Sequence, residues 1–335
     1  MNDLRDQVPA YSLPVYRAAH FSVIEGANLG DPLSFAADLM LDDVYGLTPQ
    51  ADTIEIRVQA ATGKAYRIAH SSTQGRPGAV IHLDCTLTLM TPDGKTTDAL
   101  VLVETDEEGA VSEIYILPFS PLIPRRPYAL VGIDSETAPE QLAQRACARF
   151  TRGTRITMAS GEQRPIETLR LGDRVLTRDA GPQEVRWIGL TTQRATGDFA
   201  PICIRKGTLN NTADLVVSPD HRLFIYQRQD HLGAGRSELL VKARHLVNGD
   251  SVRVQDGGYV DYFQLLFDAH QIIYAEGISA ESMLVDTRTE KAVPPEVAAK
   301  LRTKDATIPP RALDVQENLL KRPDVAELLR RASSR

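Results

Sequence analysis

One thiol in this sequence stands where it could cut its own chain. Cys147 lies among small and charged neighbours, just ahead of a strand-like run that begins at Phe150. Such a thiol can attack the carbonyl on its N-terminal side, at the Ala146–Cys147 bond, and convert the amide to a thioester. This reaction requires a nearby group that protonates the leaving nitrogen.

Hydroxyl, imidazole and carboxylate groups follow two later apolar runs and could supply that proton. The candidates are Ser218 and His221 after the first run, and Asp268 and His270 after the second. Pro219 fixes the turn that aims His221. Asp268 either orients the imidazole of His270 or stays solvated, and the sequence leaves both alternatives open.

The three blocks, in this order and at these separations, resemble the Hint domain, the hedgehog autoprocessing and intein fold, and in particular its standalone bacterial members. The resemblance covers roughly residues 147–284. It implies that Cys147 is the nucleophile. It also implies that Ser218, where the family usually has threonine, polarises the scissile amide together with His221, which protonates it. His270 would close the site.

The last block departs from the intein pattern. Inteins end this block in His-Asn, and the asparagine cyclises to release the following chain. Here the corresponding residues are Glu281 and Ser282. Because serine cannot cyclise to a succinimide, we expect no protein splicing.

The first block departs from the commonest family pattern at the nucleophile. In that pattern the cysteine directly precedes the aromatic residue, and here Arg149 holds that place before Phe150. A shift of two residues along an extended strand keeps Cys147 on the same face but moves its side chain by about 6.6 Å. Cys147 can therefore act only if the chain bends there or if this branch of the family uses the shifted register.

A weak internal repeat supports the same fold independently of the candidate site. Residues 166–176 recur as residues 241–252 with one insertion, and each copy joins a short apolar segment to a Gly-Asp turn and a strand. We therefore predict a mostly β protein. It has a small N-terminal β domain, an all-β pseudo-twofold Hint module over residues 147–284, and a short helical C-terminal tail.

Four further ranges complete the predicted organisation. Residues 1–49 carry scattered Pro and Gly and are expected to be partly irregular, whereas residues 50–135 alternate as the strands of a small antiparallel β domain. Residues 136–146 form a linker helix, capped by Ser or Thr with Pro near its first turn. Residues 285–335 form a helical tail that either docks on a domain or binds a partner.

Composition excludes several classes of partner. The net charge of −6 argues against nonspecific nucleic-acid binding, and no apolar run is long enough to span a membrane. Cys85 and Cys203 lie in apolar strand-like runs and are expected to be core thiols, and the cysteines are not spaced as metal ligands. We expect no cofactor and no metal. The N-terminus does not look like a signal peptide, so the compartment stays open between the cytoplasm and non-classical export.

Two hypotheses about function follow. In the first, the chain processes itself by an N–S acyl shift at Cys147, with its own N-terminal segment as substrate and an acceptor nucleophile that the sequence does not identify. In the second, Arg149 has replaced the nucleophile and the Hint fold is kept for binding a partner or organising the preceding β domain. A Ser-His-Asp hydrolase is a third and weaker alternative, because Ser218 lacks a Gly-x-Ser-x-Gly elbow.

Overall fold

Strands dominate both units of the chain. The computed structural model describes residues 10–60, 66–227, 230, 233–285, 289–302 and 325–333. The chain divides into two compact units, Met1–Leu142 and Ala143–Arg335. The predicted mostly β fold is confirmed.

The first unit is one antiparallel sheet. Its strands are β1 (Ala10–Arg17), β2 (Phe21–Glu25), β3 (Val44–Leu47), β4 (Ile54–Ala60), β5 (Tyr66–Ile68), β6 (Val80–Met90), β7 (Thr96–Thr105), β8 (Val111–Pro118) and β9 (Pro127–Asp134). They follow the order β2-β3-β9-β6-β5-β4-β1-β8-β7, and β6 also pairs with β7. That extra pairing closes a ring through β1, β4, β5, β6, β7 and β8, while β9, β3 and β2 extend from the second half of β6.

The expectation of a partly irregular segment over residues 1–49 is corrected for its described part. Residues 10–49 contribute β1, β2 and β3 to the same sheet as residues 50–135. Pro14 obscured β1 in the sequence because proline cannot donate to a strand ladder. At Pro14 the strand is paired on one side, to Glu55 of β4, and β8 joins it only from Tyr16 onward, so the missing N–H is tolerated.

The second unit holds the remaining strands. They are β10 (Phe150–Thr151), β11 (Arg155–Thr157), β12 (Gln163–Pro165), β13 (Arg174–Leu176), β14 (Pro182–Glu184), β15 (Trp187–Arg194), β16 (Ile202–Ile204), β17 (Leu215–Val217), β18 (Arg222–Tyr226), β19 (Glu238–Lys242), β20 (Val252–Val254), β21 (Tyr259–Leu266), β22 (Ile272–Ala275) and β23 (Ile278–Glu281). They form two six-stranded sheets, β15-β21-β10-β17-β16-β20 and β12-β11-β22-β23-β18-β19, and a two-stranded pair of β13 with β14.

The sequence repeat is a structural repeat. Each copy forms a 3₁₀ turn, Ile166–Thr168 or Ala243–Leu246, and then a tight turn that leads into β13 or β20. Gly172 and Gly249 lie in the two tight turns with φ of 86° and 77°, a conformation that glycine adopts without steric cost. The same turn chemistry at both places explains why the two segments look alike in sequence.

Three helices flank the second unit's strands. They are α1 (Ala138–Ala146), α2 (Pro295–Arg302) and α3 (Val325–Ser333). Val325, Ala326 and Leu329 of α3 are buried in the main core of this unit. The described part of the tail therefore docks on the second unit, which was one of the two alternatives for it. Among the described helices, none has the length and apolar character needed to cross a lipid bilayer.

Candidate functional site

Ser218 lies against the backbone around Arg149. Phe150 of β10 pairs with Val217 of β17, so the residue after β17 faces the residue before β10. The Ser218 N–H donates to the Arg149 carbonyl at 2.9 Å. Its Oγ accepts from the Arg149 N–H at 3.2 Å and donates to the Cys147 carbonyl at 3.2 Å. One buried hydroxyl therefore contacts both peptide groups that flank residue 148.

His221 lies on the other side of Arg149. Its Nδ1 is 3.0 Å from the Arg149 carbonyl oxygen, and its Nε2 is 3.1 Å from the Glu281 carbonyl oxygen. The ring is fully buried and packs edge-on against Phe150, with centroids 4.4 Å apart. Burial lowers the pKa of His221 below its usual 6.5, although the Glu281 carboxylate opposes this. Since a neutral imidazole has one N–H and a carbonyl oxygen only accepts, His221 can donate to one of the two carbonyls at a time.

Cys147 makes its hydrogen bonds to the helix that precedes it. Its Sγ donates to the Ala143 carbonyl at 3.2 Å, and its N–H donates to the Gln144 carbonyl at 3.3 Å. The side chain is fully buried. Its core neighbours are Leu266, Met283 and Val293, with Val297 and Ala298 of α2 packed against them. The thiol is thus a core side chain at the end of α1.

Arg149 places a guanidinium group inside the second unit. The side chain is fully buried, and its terminal NH1 donates to Gln193 Oε1 at 2.7 Å. Its Cζ lies 4.4 Å from the centroid of the Tyr262 ring and 5.3 Å from that of Phe199. Nε and NH2 have no hydrogen-bond partner among the described residues. Burial lowers the pKa of this guanidinium, and the neighbouring aromatic faces offset part of the cost of burying a cation.

Glu281 connects His221 with His270. Its backbone carbonyl faces His221, and its Oε2 lies 3.4 Å from His270 Nε2. Arg222 binds the same carboxylate through Nε, 2.9 Å from each oxygen. Burial alone would raise the pKa of Glu281, but the attraction of Arg222 and the contact with His270 outweigh it and lower the pKa to about 2. His270 therefore lies beside a carboxylate already paired with arginine.

Asp268 is at the surface. Its Oδ2 accepts from Arg186, whose NH2 is 2.9 Å away, and its side chain is 38% exposed. Of the two alternatives for this carboxylate, the solvated one matches this position. The carboxylate beside His270 is instead that of Glu281.

The comparisons with known proteins agree with this arrangement of strands. Residues 147–287 match the family model described as the Hint domain. This part of the chain is a Hint domain. Its fold is the one that self-processing hedgehog and intein proteins share, and the resemblance inferred from the sequence is confirmed.

Individual relatives are distant or cover little of the chain. The catalytic A-type polypeptide of the V-type proton ATPase from Candida tropicalis is 35% identical over 86 residues, which is 24% of this chain and 8% of that protein. A variant of the Ssp DnaB mini-intein is 10% identical, with 42% of this chain and 97% of that one covered and a TM-score of 0.28. The gp41-1 intein is 12% identical, with 40% and 97% covered and a TM-score of 0.26. The family match carries the assignment.

Sequence reasoning identified Ser218, His221 and His270 but missed the residues that hold them. Arg222 directly follows His221, and Glu281 stands where inteins have their penultimate histidine, so both positions carried a signal that a buried ion pair was needed. Within the described ranges, no group of three or more His, Cys, Asp or Glu side chains could hold a metal ion.

Proposed function

We propose that this Hint domain binds the chain that enters it and does not cleave it. The observation that carries the proposal is that Ser218 and His221 both contact the backbone of Arg149. These are the two side chains that the family resemblance assigns to bond activation. Arginine offers no thiol or hydroxyl to attack the preceding carbonyl. At this position the pair therefore serves to hold the backbone.

The side chain of Arg149 supports the same role as an anchor. It fills a closed site beside Tyr262 and Gln193. A long cation with two unpartnered nitrogens is costly to bury, and its retention there is what we expect if its stem and planar head fix the entering strand. The nearest ligand of the Hint domain is then its own chain, over residues 143–149.

A second candidate function is the N–S acyl shift at Cys147. It is favoured by the hydrogen bond that Ser218 Oγ donates to the Cys147 carbonyl, which places a polarising group within one residue of the thiol. In that reaction Sγ bonds to the Ala146 carbonyl carbon, and the carbon–nitrogen bond to Cys147 breaks. The thiol proton ends on the freed amine, and water, a thiol or an amine then takes the acyl group. In the present arrangement His221 lies on the Arg149 carbonyl, two residues beyond the amide that would need its proton.

Intact-mass measurement separates the two candidates. The purified full chain and its Cys147→Ala variant are incubated with dithiothreitol or hydroxylamine under native conditions. We expect one unchanged mass for both. Release of residues 1–146 from the unaltered chain, abolished by Cys147→Ala, would overturn the proposed binding function and establish the acyl shift.

A further inference from the structure

A cation in the last turn of α1 is bound by the Hint domain outside the Ser218–His221 site. Arg145 Nε lies 2.5 Å from Asp198 Oδ2, and the two side chains are only 11% and 17% exposed. Asp198 belongs to the 3₁₀ turn Gly197–Phe199, which precedes β16. A charged pair this well shielded from solvent holds its partners more firmly than a surface ion pair does.

The contact is one end of a chain of alternating charges. The terminal NH2 of Arg244 lies 3.2 Å from Asp198 Oδ1 and 2.9 Å from Asp220 Oδ2. Lys242 Nζ lies 3.1 Å from Asp220 Oδ1. Burial alone would raise the pKa of Asp220, but Lys242, Arg244 and Arg145 together lower it to about 2. Asp220 is therefore ionised and paired at neutral pH.

The far end of this chain is the turn that carries the candidate site. Asp220 lies between Ser218 and His221 in the sequence. The Arg244 N–H donates to the carbonyl of residue 219 at 2.9 Å, and the N–H of residue 243 donates to the His221 carbonyl at 2.9 Å. Arg244 thus holds this turn through its backbone and its side chain, while the same guanidinium reaches Asp198.

We propose that Asp198 is a recognition site for a basic residue in the last turn of the helix that enters the Hint domain. Arg244 couples occupation of that site to the turn bearing Ser218 and His221. The ligand is a helical segment with an arginine two positions before Cys147, supplied here by the chain itself. This inference rests on the proposed function, in which the domain holds the entering chain.

The thiol of Cys147 provides the readout, because it is buried by the same end of α1 and becomes reactive only when this end opens. The full chain is treated with iodoacetamide, and alkylation of each cysteine is followed by mass spectrometry. Cys85 in the first unit and Cys203 in β16 are buried internal references. Asp198→Asn should raise the alkylation rate of Cys147 by about tenfold, the value of a hydrogen bond between charged groups, with the two references unchanged.

Further variants make the result specific. Arg145→Gln should match Asp198→Asn, and the conservative Arg145→Lys should restore most of the protection. Arg244→Gln should also expose Cys147 if the coupling exists. Arg205→Gln, which breaks the exposed pair of Arg205 with Asp250, is the matched control and should change nothing.

Two outcomes would overturn this inference. One is an unchanged Cys147 rate in both Asp198→Asn and Arg145→Gln. The other is a parallel rise at Cys203, which would mean that the pair supports the whole domain and does not select the entering helix. Neither outcome alters the intact mass, so failure here is distinguishable from failure of the proposed function, which is read as cleavage.

Discussion

Removing the ionisable group of His221 should flatten the pH dependence of stability in mildly acidic solution. Burial lowers the pKa of His221 from 6.5, so the unfolded chain binds a proton at this residue at higher pH than the folded chain does. The stability contributed by the neutral ring is therefore complete above that value and is lost as the pH falls toward the folded pKa. In this window one proton changes the free energy of unfolding by up to about 1.4 kcal/mol per pH unit.

Urea unfolding at a series of pH values measures this slope. Trp187 is the only tryptophan of the chain and lies in the second unit, so its fluorescence follows the Hint domain. His221→Asn should unfold with a shallower slope than the unaltered protein between about pH 5 and 6.5. His245→Asn, which removes another imidazole of the same unit, is the control. Equal slopes for the unaltered protein and His221→Asn would refute the buried neutral imidazole.

Three other substitutions test separate parts of the fold. Leu329→Ala should destabilise the Hint domain by about 2–5 kcal/mol in urea, because it empties a buried site under α3. Arg222→Gln should cost about 3–5 kcal/mol near neutral pH, since it leaves the Glu281 carboxylate buried and unpaired, and acid should relieve the loss. Gly75→Ala should lower the melting temperature of the first unit, because its Cβ would lie 2.3 Å from Ile68 Cδ1 and its φ is +73°. Unchanged stability in any of them would contradict the packing described.

Local patterns predicted the Hint module well, because its signals are short-range. The turn chemistry of the repeat, the apolar runs that end in Ser218 and His221, and the helix before Cys147 each lie within about a dozen residues. The structure confirms the mostly β fold and the Hint domain. Placing a hydroxyl or an imidazole at the end of a strand needs no knowledge of distant pairing.

What the sequence could not predict depends on contacts between distant residues. The ring of the first unit closes through pairing of β1 with β8, from Tyr16 with Ile116, and no local pattern reports that pairing. The Arg149 site needs Tyr262 and Gln193 from two other strands. The carboxylate beside His270 proved to be that of Glu281, because strand pairing places β23 next to β22 and sequence proximity favoured Asp268.

Supplying a nucleophile at residue 149 tests the central claim most directly, namely that the site is centred on this position. Arg149→Cys places a thiol on the residue whose N–H bonds to Ser218 and whose carbonyl faces His221. With hydroxylamine, intact-mass spectrometry should show release of residues 1–148, and His221→Ala in the same background should slow it by about 10²–10⁴-fold. A folded Arg149→Cys protein that keeps its full mass would contradict the account, and so would release of residues 1–146 by the unaltered chain.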